Sequence, residues 1–399
     1  MDEKVKYLLS LQAVRERARI VGEIAKSGKL NHFDLREDRL DDVAEFVVSV
    51  IKRDFGPDKY DQIPPHGRWQ HFDVGNVPRI DSVLKEWKAG GCDDLELTRR
   101  LIDLFFVSVL LDAGAGDTWR YEEPETGQIY ERRIGLQNLT ADALIAGFQV
   151  SDKNPMLGVE TRAALLSNLG RSLLSQPEVF GKIGRPGNLV DYMVKSPSEP
   201  SDLDVLVFWD VLQTVLIPIW PKTRTTVGGT PIGDAWPLSA LRKHATSDEP
   251  AEHIQPFHKL TQWLTYSLMV PFQRILSARW LNAGSLTALP EYRNGGLFVD
   301  LGVLVLKQAA LDRGLEASGG GLPLFDAGDD VIVEWRAMTL VLIDELYSRV
   351  LARMGNGVHL SMAQLLEAGT WKSGREIAAT RRPETKSSPI LIRSDGTVF

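Results

Sequence analysis

Apolar residues recur every three or four positions along most of this chain, which is the spacing of amphipathic helices. The chain is therefore predicted to be mainly α and to form a single large helical domain. The predicted helices cover residues 5–25, 34–53, 80–87, 93–111, 140–148, 158–174, 202–216, 256–276, 297–311 and 330–354.

Two segments depart from this pattern. Alternating apolar and polar residues at 119–121 and 129–131, around a Glu-Thr-Gly turn, predict a small β-hairpin. The loop over residues 217–236 is rich in Pro, Gly and Thr and is long for a simple connection, which is typical of loops that contribute to binding sites. Asp234 in this loop is therefore a candidate substrate-binding residue.

Composition narrows the class of protein. The 399 residues, 43% hydrophobic and 25% charged, are those of an ordinary globular protein. A net charge of −7 argues against a nucleic-acid partner. The single cysteine, Cys92, excludes an intramolecular disulfide and a thiolate metal cluster. Neither a secretory signal nor an apolar stretch of membrane-spanning length is evident, so we expect a cytoplasmic protein without a membrane partner.

The expected layout is one helical catalytic unit over residues 1–372. Its N-terminal part, residues 1–135, contains the polar loop and the hairpin, and residues 136–372 form the helical core. The tail over residues 373–399 is polar and lacks periodicity, so it is predicted to be irregular.

Residues 289–297, Leu-Pro-Glu-Tyr-Arg-Asn-Gly-Gly-Leu, are the most unusual part of the chain. They place Glu291, Tyr292 and Arg293 side by side before an Asn-Gly-Gly that predicts a turn. Asp300 lies in the apolar run that follows. Such polar side chains are costly to bury unless they bind one another or a ligand. The cluster therefore suits a site for a hydroxylated, partly cationic small molecule.

Lys259, Gln262 and Tyr266 lie at i, i+3 and i+7, so they share one stripe of a predicted helix. A lysine on a largely apolar helix can bind a phosphate or a sugar hydroxyl as a compact charge. The alternative is a solvated lysine that reaches the surface from an amphipathic helix.

The predicted helix over residues 330–354 is apolar on nearly every face after Glu334 and Arg336, and such a helix is normally buried. The two charged residues then need partners, because removing the partner of a buried ion costs about 3–5 kcal/mol. We predict that Glu334 faces Arg293 or Tyr292, either in a ligand site or in a structural ion pair between helices.

The loop over residues 66–72 concentrates His66, Arg68, Trp69 and His71. Two histidines in such a loop could ligate a metal, but no third ligand has a convincing spacing. A structural loop packed by its aromatic residues is the alternative. The chain has no nucleotide-binding glycine loop, serine-nucleophile elbow or zinc-protease motif, so neither a metal nor an organic cofactor is predicted.

Four segments together resemble the uracil-catabolism protein 4 family of fungi and bacteria. They are PHGRWQHF at 65–72, PFHKLTQWLTYSL at 256–268, LTALPEYRNGGL at 286–297 and EWRA at 334–337. The resemblance extends over nearly the whole chain. That family is implicated in a uracil breakdown route that passes through ribosylurea and releases urea.

A fainter similarity reaches the queuosine-nucleotide salvage glycosidases, which are helical and related in fold to DNA glycosylases. Their Leu-Thr-x-Phe-Ala-Asp-Tyr-Arg, Phe-Tyr-Lys-Arg-Ala-Gln and Glu-Ile-Arg-Ala motifs resemble the last three segments. Glu291 stands where those proteins have Asp, and Lys259 stands where they have the lysine that contacts phosphate or ribose. This similarity implies a DNA-glycosylase-like helical core.

Both resemblances imply an N-glycosidase that hydrolyses the bond between an anomeric ribose carbon and a ureido or base nitrogen. The small-molecule substrate would be ribosylurea or its 5′-phosphate. Glu291 would stabilise the oxocarbenium-like transition state and activate water, with Asp300 as the second candidate. The departing urea needs a proton, which Glu334, His258 or a bound water would supply.

The remaining candidates would bind the substrate. Lys259 and Arg293 would hold ribose hydroxyls or a 5′-phosphate. Tyr292 and Trp69 would line the pocket, next to Arg68 in the same loop as Trp69. Two other classes stay open: an N-glycosylase acting on another nucleoside, nucleotide or nucleic-acid base, and a non-catalytic scaffold of the pathway.

Overall fold

The computed structural model describes residues 2–73, 75, 77–112, 141–153, 156, 158–194, 202–221, 223–355 and 357–393. Within these ranges the protein is mainly α, as predicted, and its strands form only two-stranded pairs. None of the described helices is long and apolar enough to cross a membrane. The hairpin predicted at residues 119–131 lies outside the described residues.

Helices account for most of the regular structure. The α-helices are Glu3–Leu8, Leu11–Lys26, Leu40–Phe55, Arg68–Phe72, Arg79–Ala89, Asp94–Asp112, Ala141–Gly147, Val159–Leu174, Pro177–Phe180, Leu189–Met193, Val205–Leu216, Ser239–His244, Lys259–Leu276, Tyr292–Asp300, Gln308–Ser318, Asp330–Met354, Met362–Leu365 and Trp371–Arg381. A π-helical turn, Leu366–Thr370, joins the last two. Below, the lysine helix is Lys259–Leu276, the site helix is Tyr292–Asp300 and the central helix is Asp330–Met354.

The strands are short, and most of them pair across long stretches of sequence. Antiparallel pairs join Phe33–Leu35 to Leu304–Leu306, Thr226–Val227 to Thr230–Pro231, and Ala235–Pro237 to Ile254–Pro256. Parallel pairs join Leu324–Asp326 to Leu391–Arg393 and Asp202–Asp204 to Arg279–Leu281.

The chain folds into two compact units, and neither is a continuous stretch of sequence. Of the described residues, the first contains those within 2–70, 223–267 and 282–393, and the second contains those within 71–221 and 268–281. That residues 1–372 form one catalytic unit stays a prediction. The resemblance of the helical core to DNA glycosylases also stays a prediction.

The central helix forms the core of the first unit. It is buried over most of its first 17 residues, as its apolar sequence predicted, and Glu334 and Arg336 are buried with it. The helices Leu11–Lys26 and Leu40–Phe55 pack against it. Helix Leu11–Lys26 approaches the central helix closely at Gly22, where a Cβ would lie 2.9 Å from Cγ1 of Val341.

The site helix corrects the turn that was expected at Asn-Gly-Gly, because these three residues lie inside it. A Cβ at Gly295 would lie 2.8 Å from Oγ1 of Thr339 and 2.8 Å from Cε2 of Trp335 on the central helix. The glycine therefore serves close packing between helices. The predicted helix over residues 297–311 is wrong, since the site helix ends at Asp300 and a strand follows.

The tail that was expected to be irregular contains the helix Trp371–Arg381 and the strand Leu391–Arg393. This helix packs against the site helix. Its inward residues are mostly small, including Ser373, Gly374 and Ala378, so it has little apolar periodicity for sequence reasoning to detect.

The second unit is built around the helices Asp94–Asp112 and Val159–Leu174, which pack against each other. In this unit the segment Gly-Arg-Pro-Gly at residues 184–187 forms a turn that is held by Asp103. One carboxylate oxygen of Asp103 accepts a hydrogen bond from Nε of Arg185 at 2.7 Å, and the other accepts the N–H of Gly187 at 2.6 Å. These contacts give the segment a structural role.

Replacing Gly374 by alanine is expected to destabilise the first unit by about 1–3 kcal/mol, as overpacked sites do. The new Cβ would overlap the carbonyl oxygen of Arg293 in the first turn of the site helix. Urea denaturation measures the loss. Gly284→Ala is the matched control, since nothing lies within 4 Å of its Cβ position. Equal stability of the two variants would contradict the predicted helix contact.

Candidate functional site

The first unit buries an ion pair between Asp234 and Arg336. The two terminal nitrogens of Arg336 each donate to one carboxylate oxygen of Asp234 at 2.8 Å. The side chains are only 2% and 1% exposed. Burial alone would raise the pKa of Asp234, but the charge and hydrogen bonds of Arg336 outweigh it and hold that pKa well below its ordinary value.

This ion pair positions the two segments that hold the main candidate residues. Oδ2 of Asp234 accepts the backbone N–H of Lys259 at 3.0 Å, at the start of the lysine helix. Nε of Arg336 donates to the carbonyl oxygen of Pro290 at 3.2 Å, directly before Glu291. Lys259 and Glu291 are therefore placed by one shared contact.

The carboxylate of Glu291 caps the site helix. Its two oxygens accept the backbone N–H groups of Arg293 at 2.7 Å and Asn294 at 2.6 Å. The residue is 9% exposed. Asp, Asn, Ser and Thr are the residues that usually cap helices. Capping alone therefore does not explain a buried glutamate at this position.

Burial raises the pKa of Glu291 above its ordinary value. The two backbone N–H donors and the charges of Lys259 and His66 oppose that rise. A carboxylate in this setting exchanges its proton at a higher pH than an exposed glutamate, and its charge acts strongly on any nearby cation because little water screens it.

The predicted stripe on the lysine helix faces the segment that leads to Glu291. The side-chain amide of Gln262 donates to Oγ1 of Thr287 at 2.8 Å, and the hydroxyl of Tyr266 donates to the carbonyl oxygen of Thr287 at 2.9 Å. Lys259, at the start of the same stripe, is partly buried and its charge acts on Glu291. The stripe is thus part of the site and is not a solvated face.

Two further residues belong to this site, and sequence reasoning selected neither. Nδ1 of His66 lies 2.6 Å from Oε2 of Glu367, and the charge of His66 acts on Glu291. His66 was noticed only as part of a polar loop. Glu367 had no signal, because the two partners are 301 positions apart in the sequence.

Asp300 lies at the opposite end of the site helix from Glu291, roughly 13 Å away along the helix axis. Its two carboxylate oxygens accept hydrogen bonds from Arg382 at 2.8 Å and 2.5 Å. The structure therefore does not bring the two carboxylates together, and the contacts of Asp300 are those of a structural ion pair.

The predicted contact of Glu334 with Arg293 or Tyr292 is wrong. Glu334 accepts the backbone N–H groups of Asn31 at 2.9 Å, His32 at 2.8 Å and Phe33 at 3.2 Å. Burial raises its pKa, and the hydrogen bonds from His32 and Asn31 oppose the rise. The buried carboxylate of Glu334 is hydrogen-bonded by backbone N–H groups. Such partners cannot be predicted from the side-chain types in the sequence.

Tyr292 and Arg293 contact each other beside the capped end of the site helix. The guanidinium of Arg293 lies 4.9 Å from the centre of the Tyr292 ring. Nη1 of Arg293 donates to the carbonyl oxygen of Lys386 at 2.6 Å. Their contact with a substrate stays a prediction.

His258 is buried, and its Nε2 lies 2.8 Å from the carbonyl oxygen of Leu8. A carbonyl only accepts hydrogen bonds, so Nε2 carries the proton of this ring. Burial lowers the pKa of His258, which favours the neutral ring. His258 therefore anchors the start of the lysine helix against the N-terminal helix Glu3–Leu8.

Arg68 and Trp69 are both buried, as the alternative of a structural loop predicted. The backbone N–H of Arg68 donates to Oγ of Ser267 at 3.0 Å. Its guanidinium lies 4.4 Å from the centre of the Trp263 ring. The loop is thus held against the lysine helix, on the same stretch of chain as His66.

This protein is helical and has a buried acidic site, and comparison with known proteins identifies its relatives. A family model described as "Protein of unknown function (DUF1688)" matches residues 7–137 and 133–399. Uracil catabolism protein 4 of Lachancea kluyveri is 42% identical over 440 residues, which covers 100% of both chains. Protein urg3 of Schizosaccharomyces pombe is 46% identical over 427 residues, covering 100% of this chain and 99% of its own.

The chain therefore belongs to the family of uracil catabolism protein 4, which is the family that the four sequence segments predicted. The match extends over the full length of the chain, so it includes every residue of the site described above. By its name, the Lachancea relative takes part in uracil catabolism.

Replacing Arg336 by methionine should reduce the free energy of unfolding by about 3–5 kcal/mol, because Asp234 is left buried without its partner. Adding Asp234→Asn should recover part of the loss, and urea denaturation of the single and double variants measures this coupling. Arg279→Met, at the exposed pair with Asp202, is the control and should have little effect. Additive losses from Arg336→Met and Asp234→Asn would contradict a coupled pair.

Proposed function

We propose that the protein is an N-glycosidase that hydrolyses the C–N bond between the anomeric carbon of a ribosyl group and a ureido nitrogen. Its substrate is ribosylurea or the 5′-phosphate of ribosylurea, in uracil catabolism. The name of the Lachancea relative supports the pathway. The observation that carries the reaction is the buried carboxylate of Glu291, close to the charges of Lys259 and His66.

Cleavage of a glycosidic bond passes through an oxocarbenium-like transition state, in which positive charge develops on the sugar ring. A carboxylate that is already buried and oriented stabilises this charge without having to reorganise. Glu291 meets both conditions, because two backbone N–H groups fix its oxygens and most water is excluded. It is therefore assigned to the face of the ring next to the anomeric carbon.

The bond changes balance without any redox step. The electrons of the C–N bond pass to the ureido nitrogen, which takes up one proton as neutral urea departs. Water adds its oxygen to the anomeric carbon and gives one proton to the Glu291 carboxylate, as a general base. One water is consumed, and the products are urea and ribose, or urea and ribose 5-phosphate when the substrate is phosphorylated.

Lys259 binds the ribose hydroxyls or the 5′-phosphate of the substrate in this proposal. Its backbone is fixed by Asp234, while its side chain is partly buried on the stripe that leads to Glu291. A compact ammonium at that position can bind an oxygen of the substrate and also set the electrostatic environment of the carboxylate.

Glu291→Gln should lower kcat for urea release by about 10²–10⁴-fold, the usual contribution of a positioned acid or base. Stability should be maintained at neutral pH. Burial raises the pKa of Glu291, so the wild-type protein loses folding stability as the pH rises through that pKa and the carboxyl group ionises. The variant has a neutral glutamine there and does not lose this stability. Urea assays on ribosylurea and its 5′-phosphate, with thermal unfolding of both proteins, test this pair of effects.

A purely structural cap would give the reverse result, with lower stability and nearly unchanged turnover. The conservative variant Glu291→Asp keeps the charge but shortens the side chain, so it should retain partial activity. Failure of the wild-type protein to release urea from either ribosyl compound would contradict the proposed function itself.

Lys259→Met should move the acidic limb of the kcat/KM profile to higher pH. The charge of Lys259 lowers the pKa of Glu291, so its removal lets burial raise that pKa further, and the carboxylate is protonated earlier as the pH falls. Lys259→Arg, which keeps the charge, is the matched control and should leave the limb in place. Identical limbs in Lys259→Met and Lys259→Arg would contradict this electrostatic role.

A further inference from the structure

His66 is held by three contacts with one segment of the chain, residues 363–371. Its backbone N–H donates to the carbonyl oxygen of Ala363 at 2.9 Å. Its Nδ1 lies 2.6 Å from Oε2 of Glu367. Its ring centre lies 5.6 Å from that of Trp371. An imidazole fixed in this way has a single orientation, which is what proton transfer to a defined atom requires.

The two residues after His66 attach it to the lysine helix. The N–H of Arg68 donates to Oγ of Ser267 at 3.0 Å, and a Cβ at Gly67 would lie 3.2 Å from Cα of Ser267. Glycine at position 67 therefore lets the loop backbone lie directly on the helix that begins at Lys259.

The same arrangement brings His66 to the capped end of the site helix. Helix Trp371–Arg381 contacts the ring of His66 through Trp371 and the carbonyl oxygen of Arg293 through Gly374. Arg293 also donates its N–H to Glu291. The electrostatic influence of His66 on Glu291 agrees with this proximity.

Glu367 fixes the hydrogen-bonding pattern of the ring. A carboxylate that is ionised accepts hydrogen bonds only, so the proton between the two groups is on Nδ1 of His66. The exchangeable proton is then the one on Nε2. Glu367 lies in the π-helical turn Leu366–Thr370, a distortion that is frequent at functional sites.

We propose that His66, oriented by Glu367, protonates the ureido nitrogen as the glycosidic bond of the proposed substrate breaks. The inference rests on the proposed function and assigns the proton donor for it. The electrons of the C–N bond form a new N–H bond with the Nε2 proton, which leaves a neutral imidazole. The proton that Glu291 takes from water restores the imidazolium through solvent, so one cycle has no net proton change.

Two of the other candidate donors, Glu334 and His258, are engaged elsewhere. Glu334 accepts three backbone N–H groups from residues 31–33, and Nε2 of His258 lies 2.8 Å from the carbonyl oxygen of Leu8. The charge of His66 is among those that act on Glu291. His66 is therefore the donor that the geometry favours.

The test compares two leaving groups in His66→Gln. Urea is a poor anionic leaving group and needs a proton, whereas 4-nitrophenolate leaves without one. Turnover of ribosylurea should fall about 10²–10⁴-fold, the range of general acid catalysis, while turnover of 4-nitrophenyl β-D-ribofuranoside should fall much less. The ratio of the two rates is independent of the folded fraction, so partial unfolding of the variant cannot imitate this result.

Glu367→Gln tests the positioning residue. The substitution replaces a carboxylate beside the ring by a neutral amide, so the basic limb of the kcat profile on ribosylurea should move to lower pH, and in His66→Gln that limb should disappear. This second readout decides the question if the nitrophenyl riboside is not a substrate. The charged groups around His66 include Glu367 and Glu291, with Lys259 beside the latter. They also include Arg375, whose guanidinium lies 4.9 Å from the centre of the Trp371 ring that contacts His66.

His32→Gln is the matched control, because His32 also lies 2.8 Å from a carboxylate, that of Asp330, away from Glu291. Its substrate ratio and basic limb should equal those of the wild type. Equal losses of turnover on both substrates in His66→Gln would overturn the assignment of His66, and so would an unchanged basic limb in Glu367→Gln and His66→Gln. Urea release by the wild type would still uphold the proposed function in either case. Absence of urea release by the wild type would overturn both.

Discussion

The buried ion pair between Asp234 and Arg336 is the contact on which the arrangement of the site depends. Its two residues are 102 positions apart, and both side chains are almost fully enclosed. Enclosing two charges is costly, and the cost is offset only when the hydrogen bonding is complete. Here the indole N–H of Trp236 and the backbone N–H of Lys259 donate further hydrogen bonds to the carboxylate. The guanidinium donates to the carbonyl oxygen of Pro290 and lies over the Phe257 ring. The starts of the lysine helix and of the site helix are fixed as a consequence.

Glu291 caps a helix and, in the proposed function, also takes part in the chemistry. Its carboxylate satisfies two N–H groups that would otherwise lack partners in the first turn, yet burial makes the ionised form unfavourable. A smaller capping residue would avoid that cost. A residue whose ionised form is unfavourable in the fold is typical of functional sites, where strain and unfavourable charge are maintained by the surrounding fold.

Apolar periodicity was sufficient to predict the helical class, the burial of the central helix and the stripe of Lys259, Gln262 and Tyr266. It also indicated that Glu334 and Arg336 needed partners. Those partners could not be predicted, because Asp234 is remote in sequence and the donors to Glu334 are backbone groups. Asn-Gly-Gly was misread as a turn, since glycine in a sequence indicates local freedom, whereas here Gly295 permits contact between helices. The partnership of His66 and Glu367 likewise exists only in three dimensions.

Glu291 is proposed to stabilise positive charge on a ribose ring, and binding of 1,4-dideoxy-1,4-imino-D-ribitol measures this stabilisation without any turnover. This protonated imino sugar resembles the oxocarbenium-like transition state, and such analogues bind far more tightly than substrates. Calorimetry should show about 10²-fold or greater loss of affinity for it in Glu291→Gln, as expected when one partner of a buried charge pair is removed. Neutral ribose should bind the wild type and the variant alike. Equal affinity of the imino sugar for both proteins would contradict the claim.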